Sequence, residues 1–366
     1  MKNPTPFLLC TALLFLAACD EMAPSEVTAL DPAIDRGFMG VPIAETEVGV
    51  MSYNLYVGAD LDQVIGALVS PDQGDDFPAL LAGIETLQAT DYQARAEAIA
   101  DEVAATRPQV VGLQEVWNIA IDLRPYGVPV TIRTEFLPIL QEALARRGLD
   151  YVVAGSVINT DASPIPGIRV VDHDVMLVDP ARVQVVSASG RNFAANIGPV
   201  APGVTLLRGY VIVNAMIGGQ NYTLVNTHLE SGAAPQIAGL RALQAQELVQ
   251  VLGSAPRVIL VGDLNDGAGS PMHQVLAGAG LIDAWPALRP GVAGLTCCHA
   301  PDLSDRRGGF DQRIDYVFAR GFDQPGQSLK GRIDVLGDQA KDRIPTPAGT
   351  IWPSDHAGLF GVLRAH

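Results

Sequence analysis

The chain has 366 residues, enough for one large domain or two modest ones with a sizeable core. Apolar residues make up 48% and charged residues 17%, which excludes a disordered chain. A formal net charge of -16 repels nucleic-acid phosphate at long range and argues against avid non-specific DNA binding, and four Cys are too few for a disulfide scaffold.

Lys2 is the only charge before Asp20, and an apolar run from Phe7 to Ala18 follows it. Residues 1–18 therefore read as a bacterial export signal and not as part of the fold. Leu16-Ala17-Ala18-Cys19 resembles a lipoprotein signal, in which the Cys becomes the lipidated first residue. The resemblance implies lipidation at Cys19 and a membrane-anchored protein on the periplasmic or extracellular face. Ordinary cleavage beside an incidental Cys is the alternative, at the expense of a reactive thiol on an exported protein. Residues 19–46 are rich in Pro, Ala and Glu without a sustained period, as in a tether. Beyond the signal no apolar run approaches the ~20 residues that span a bilayer.

The body, 47–366, reads as one domain. Val48–Tyr53 is a short strand. Asp91–Thr106 is an Ala-rich helix closed by Pro108, and Val110–Leu113 is a buried strand. A second helix covers Thr134–Arg147. Strands follow at Tyr151–Ile158, Val170–Val178, Val183–Ser187, Tyr210–Ile217 and Tyr222–Asn226. Pro235–Leu252 is a third helix, with Ile237, Leu240, Leu248 and Val251 facing inward. Arg257–Val261, Arg313–Phe318, Arg332–Leu336 and Gly358–Leu363 complete the strands. Several strands adjoin without a helix between them, which disfavours a purely parallel sheet. Two face-to-face sheets with helices outside fit better.

Polar residues interrupt this apolar pattern at the C-terminal ends of strands. Asn54, Glu115, His228, Asp263 with Asn265, Asp315, and Asp355-His356 stand at six such places. Each alone is a common turn or cap residue. Together they are carboxylates, carboxamides and imidazoles with no Cys, a donor set for Mg²⁺, Mn²⁺ or Ca²⁺ and not for zinc. A carboxylate-held divalent ion with His nearby is what phosphate-ester hydrolysis needs.

The ordered set Asn54, Leu-Gln-Glu115, Thr-His228, Gly-Asp263-Leu-Asn265, Arg-Ile-Asp315-Tyr and Ser-Asp355-His356 resembles the endonuclease/exonuclease/phosphatase superfamily, the DNase I-like fold, over about residues 48–364. The resemblance implies an α/β/β/α four-layer sandwich with two mixed sheets and the site at one edge. It implies Glu115 as principal metal ligand, Asn54 as a second ligand or a hydrogen-bond partner of one, and Asp355 near the metal. His356 would be general base or position the nucleophile, and Asp315 would fix its tautomer. Asp263 would orient or activate water, so Asp263 and His356 share the base role. Asn265 would donate to the oxygen that gains charge. His228 would bind the phosphate or protonate the leaving group.

Two departures stand out. Many nucleases of the family carry an acid two residues after the first Asn, where this chain has Tyr56. Asp60 is a candidate metal residue if the loop folds back, with Asp62 beyond it. The stretch 117–133 has no basic cluster for a duplex backbone, and Arg208 and Arg241 are single candidates for substrate phosphate. Cys297-Cys298-His299 is poorly spaced for zinc. In an oxidising compartment the pair forms a vicinal disulfide, or else two buried thiols, in a loop over 286–312 that rims the site.

The expected function is a divalent-metal phosphoesterase acting on a phospholipid, a nucleic acid or a small phosphodiester, with no evident protein partner. The His228, Asp263 and Asp315 motifs lean to the sphingomyelinase-like branch, although no exposed aromatic hairpin is evident. The alternatives are a periplasmic nuclease of the same fold and a catalytically silent binding module. The latter usually lacks one of the stations that are all filled here.

Overall fold

The computed structural model describes residues 40–70, 74–306, 309–322 and 329–364. Residues 1–39, which hold the expected export signal, Cys19 and most of the expected tether, lie outside the described residues. The last tether residues, 40–46, have no helix or strand but lie on the body. Gly40 N donates to Ala105 O, and Ile43 packs beneath Gly49.

In chain order, β1 (Glu47–Asn54) leads into α1 (Leu61–Val69), α2 (Asp76–Ala89) and α3 (Tyr92–Thr106). Then come β2 (Val110–Gln114), β3 (Asn118–Asp122), β4 (Thr131–Glu135), α4 (Phe136–Arg146), β5 (Val152–Ala162) and β6 (Ile168–Val178). The middle of the chain holds β7 (Val183–Asn192), β8 (Gly198–Ala201), β9 (Val204–Leu206), β10 (Gly209–Ile217), β11 (Gln220–His228) and α5 (Pro235–Leu252). Next are β12 (Val258–Asp263), α6 (Pro271–Gly278), β13 (Ile282–Asp283), α7 (Ala284–Leu288) and β14 (Asp315–Arg320). The last strands are β15 (Gly331–Leu336), β16 (Ile344–Thr346), β17 (Gly349–Ile351) and β18 (Gly358–Arg364).

Two large mixed sheets result, as the sequence implies. One runs β15-β18-β1-β2-β6-β5-β9-β8, with β3 paired to β6 and β4 to β3. The other runs β13-β14-β12-β11-β10-β7. The pairs β1–β2 and β11–β12 are parallel, and the remaining pairs within the two sheets are antiparallel. Strand alternation sorts each strand between two layers. Met51, Tyr53, Val111 and Leu113 face outward and pack under Ala96, Ile99 and Val103 of α3 and Leu140 of α4. Val225, Leu260, Tyr316 and Phe318 do the same beneath Leu248 of α5 and Leu276 of α6.

The two inner faces meet closely. Asn226 of β11 donates to Leu113 O at 2.9 Å and to Val175 O at 3.0 Å in the opposite sheet. Its carbonyl accepts from Gln114 Nε2 at 2.6 Å. A buried carboxamide thus pins the sheets in register with its polar atoms satisfied. Gly112 makes this approach possible, because a Cβ there would collide with Val261 and Asn226.

The buried face of α5 departs from the hydrophobic period. Val251 is exposed, and Arg241, Gln244, Ala245, Leu248 and Leu252 are buried instead. The stripe is rotated because Arg241 and Gln244 serve the backbone after β11. Arg241 donates to Glu230 O and Gly232 O, and Glu230 N donates to Gln244 Oε1. Buried backbone groups need partners, and that need outweighs the gain from an all-apolar stripe.

Candidate active site

The site forms where the inner faces open at the C-terminal end of the parallel strands. Residues 224, 226 and 228 of β11 share the inner face, as do 259, 261 and 263 of β12 and 315, 317 and 319 of β14. Register then aligns them. His228 lies opposite Asp263, and Asp263 lies opposite Asp315. Gly262 permits the tight β11–β12 pairing just before Asp263, since a Cβ there would fall on Thr227 O.

Across the gap, Asn54 ends β1 and turns its amide nitrogen toward Glu115 Oε1 at 3.2 Å and Asp263 Oδ2 at 3.1 Å. Its oxygen accepts from Tyr56 N at 2.9 Å. Glu115 leaves β2 with φ +56°, which swings its carboxylate out of the strand, where Oε2 accepts from Val57 N at 3.0 Å and Trp117 Nε1 at 3.3 Å. Tyr56 and Asn265 also have positive φ. Left-handed backbone at non-glycine residues costs about 1–3 kcal/mol, and it concentrates at functional sites.

His356 Nδ1 donates to Asp315 Oδ2 at 2.9 Å, and its Nε2 looks toward Asp263 Oδ2 at 3.8 Å. Burial opposes the charged ring, but the carboxylates of Asp315, Asp355 and Asp263 outweigh it and hold the pKa well above the ordinary histidine value. His228 behaves oppositely. Burial, Arg208 and His356 push its pKa well down, so the ring is neutral. Arg208 Nη1 lies 3.1 Å from His228 Nδ1 and, having no acceptor, can only donate to it. On the other side Nε2 lies 3.4 Å from Asp263 Oδ2 and 2.8 Å from Asn265 Nδ2, a donor that also donates to Leu229 O, so the neutral ring stands between two donors. Burial raises Asp263 to about 7, with His356 acting against it. Burial likewise raises Asp355 to about 7, opposed by His356 and reinforced by Glu115.

The structure therefore brings Asn54, Glu115, His228, Asp263, Asn265, Asp315, Asp355 and His356 to one place. Asp60 is exposed and caps α1, accepting from Gln63 N at 3.0 Å, and it borders the same cleft as Glu115 and Asp355. Ligand atoms of Asp263, Asp315 and His356 lie within 4.8 Å of one another, and Asp315 Oδ1 is buried without a hydrogen-bond partner. Crowded, raised carboxylates with an orphaned oxygen fit a hard divalent cation, whose charge would relieve the excess.

Further residues border the site: Arg208 is one of the phosphate candidates of the sequence, whereas Asp172, Asp174 and Arg95 are not among its candidates. Asp172 and Asp174 on β6 are buried beside Arg208, and both oxygens of Asp174 lack a partner of normal geometry. Their signal was available: two acids at alternate positions of an apolar strand share one face. Arg208 lies between His228 and Glu230, with Nε donating to Glu230 Oε1 at 3.2 Å. Arg241 instead braces the loop behind the site. Arg95 of α3 is fully buried and ties the loops after β1 and before β18 through backbone carbonyls.

The Cys loop does rim the site. His299 N donates to Asp355 O at 3.0 Å, and Thr296 Oγ1 accepts from Asp315 N at 3.2 Å. Cys297 and Cys298 are paired as a vicinal disulfide. His299 turns away from them, with Nδ1 2.9 Å from Asp305 Oδ2 and its ring stacked on Trp352, so the Cys-Cys-His run does not close on one ion.

This combination of two sheets, outer helices and an acid–His row at the open edge defines an α/β/β/α sandwich of DNase I-like architecture. The chain belongs to the Endonuclease/Exonuclease/phosphatase family, whose profile matches residues 51–356. Solved structures share the fold. An endonuclease/exonuclease/phosphatase family protein of Bacteroides thetaiotaomicron is 16% identical with a TM-score of 0.56, and 87% of this chain and 98% of that one are covered. One from Beutenbergia cavernae is 19% identical at TM-score 0.55, with 87% and 72% covered. A mannosyl-6-phosphatase of B. thetaiotaomicron is 19% identical at TM-score 0.55, with 86% and 99% covered. No curated protein matches the chain in sequence. Among the described residues no helix is long and apolar enough to cross a membrane.

Proposed function

We propose that this protein is a divalent-cation-dependent phosphoester hydrolase in which water attacks phosphorus in line. The observation that carries the reading is the row His228–Asp263–Asp315 with His356, closed from the other sheet by Asn54 and Glu115. Glu115 and Asp355 would hold the cation, with Asn54 steering Glu115. The cation would supply charge neutralisation at a non-bridging phosphate oxygen. Asp263, near 7, is poised to take a proton from the attacking water. Asp315 fixes the proton on His356 Nδ1 and keeps the charged ring facing the phosphate. Asn265 donates to the oxygen that gains charge. Neutral His228, held between Arg208 and Asn265, would contact the phosphate or the leaving oxygen.

The test is hydrolysis of bis(p-nitrophenyl) phosphate, p-nitrophenyl phosphate, sphingomyelin and single-stranded DNA, each with Mg²⁺, Mn²⁺, Ca²⁺ or EDTA. Cation-dependent turnover that Glu115→Ala and His356→Ala each lower at least a hundredfold supports the reading. No turnover, with no cation binding by calorimetry, replaces it with a binding module.

A further inference from the structure

A cleft of about 540 Å³ opens directly from the acid–His site. Glu115, Asp355 and Arg208 belong to the cleft lining, so it is continuous with the catalytic centre. Away from them it runs between the α1–α2 pair and strands β3, β5 and β9, and its character changes. Leu80 and Ile84 of α2, Ile119 and Ile121 of β3, Ile165, and Leu206 of β9 form its walls. Strand alternation makes the wall at β3: Ile119 and Ile121 are buried while Asn118 and Ala120 are exposed. Such walls offer few hydrogen bonds to a sugar or a base, and their gain comes from removing apolar surface from water. Gly83 of α2 also lines the cleft, and a Cβ added there would come within 3.0 Å of Val64 Cγ2 of α1.

We infer that this cleft holds the aliphatic chain of an amphiphilic phosphoester, one molecule at a time, with the phosphate placed over Glu115 and Asp355. The inference rests on the phosphoesterase reading for its catalytic end and on the cleft alone for its apolar end. It differs from action on a membrane face, because the chain would be enclosed by the protein and not left in the bilayer.

The test is kcat/KM of the full-length chain with Mg²⁺ for alkyl p-nitrophenyl phosphodiesters, methyl through dodecyl, each below its micelle-forming concentration. Each added methylene should raise kcat/KM about fourfold until the cleft is filled. The gain should appear in KM, since the tail binds ground and transition states alike. Gly83→Leu, which plugs the cleft while favouring the helix, should flatten the series so that the dodecyl-to-methyl ratio falls toward one. Ile119→Trp should act the same way from the opposite wall. A series that is flat in the parent protein, or equally steep in both variants, overturns the inference. Calorimetry with dodecyl and butyl phosphate on Glu115→Ala separates the two readings. Hydrolysis of the methyl ester without chain-length dependence in rate or binding removes the cleft assignment and leaves the phosphoesterase. Tight, Gly83→Leu-sensitive dodecyl binding with no hydrolysis of any ester does the reverse.

Discussion

Arg95 gives the strongest link between the core and the site. Its guanidinium is fully buried and has backbone carbonyls as direct partners: Nε donates to Thr90 O at 2.9 Å, Nη1 to Leu55 O at 2.6 Å and Pro353 O at 3.3 Å, and Nη2 to Tyr56 O at 3.0 Å. The Tyr92 ring lies under it at 5.1 Å. Residues 55–56 follow Asn54, and Pro353 precedes Asp355-His356, so one side chain clamps both loops that carry the site. Four charge-assisted bonds contribute about 2 kcal/mol each, roughly 8 kcal/mol in sum. Burying a cation without a direct carboxylate offsets about half of that, leaving about 4 kcal/mol. With an unfolding entropy of about 2.1 cal/mol/K per residue over about 320 residues, Arg95→Met should lower Tm by about 6 °C. A shift of the loops by an ångström should also lower kcat/KM about a hundredfold. Arg95→Lys keeps the charge but loses the planar fork, and should recover no more than half of either quantity. Chemical denaturation and turnover of bis(p-nitrophenyl) phosphate measure both. An Arg95→Met variant within 1 kcal/mol of the parent would refute the energetic argument. One that is destabilised yet fully active would refute the positioning argument.

Gly112→Ala should destabilise the protein by about 2 kcal/mol in a urea melt, because the new methyl meets Val261 and Asn226 and forces the sheets apart; unchanged stability would mean that the interface yields. Asp263 and Asp355, raised to about 7 chiefly by burial, keep protons that the unfolded chain releases near 3.8. Their neutral forms therefore stabilise the fold fully below about 4, and this contribution is lost as pH rises toward 7. His228, kept neutral, works in the opposite direction below about 6.5, so the comparison must be between variants. In EDTA, Asp355→Asn should flatten the fall of Tm between pH 4 and 7 and raise Tm at pH 8, and an unaltered pH profile would contradict the burial argument. Added Mg²⁺ should raise the parent's Tm more at pH 8 than at pH 5, and equal shifts would count against Asp355 as a ligand. Metabolic labelling with palmitate should mark the parent protein in a bacterial host and not Cys19→Ser, which should fractionate as soluble; label retained in the variant excludes Cys19 as the anchor.

Much of the fold was legible because its strands are short apolar runs with turn residues at their ends, and because α3 opens on the Asp91 cap, α4 carries an apolar stripe, and α5 begins at Pro235 and stops at Gly253. The site residues were legible for a related reason: a carboxylate or imidazole has little reason to end an apolar strand unless something polar lies beyond it. Residues 60–90 were not read as helices, since α2 has only Ile84 fully buried and therefore shows little periodicity. The stripe on α5 was misplaced because the partners that draw Arg241 and Gln244 inward belong to a distant loop.

By itself the sequence determined the strand alternation, and with it which of Asn54, His228, Asp263 and Asp315 could share a face. It also determined the family, through the order of six short motifs. Only the tertiary structure decided that those faces oppose one another, since that depends on inter-strand register and on the sheet-to-sheet contact at Gly112 and Asn226. The same holds for Arg95, Asp172 and Asp174. A charge on a helix or a strand reads as surface until the partners that justify burying it are known, and those partners lie far away in the chain. The apolar cleft is likewise a product of packing, assembled from α2, β3 and β9, none of which contains more than a fragment of it.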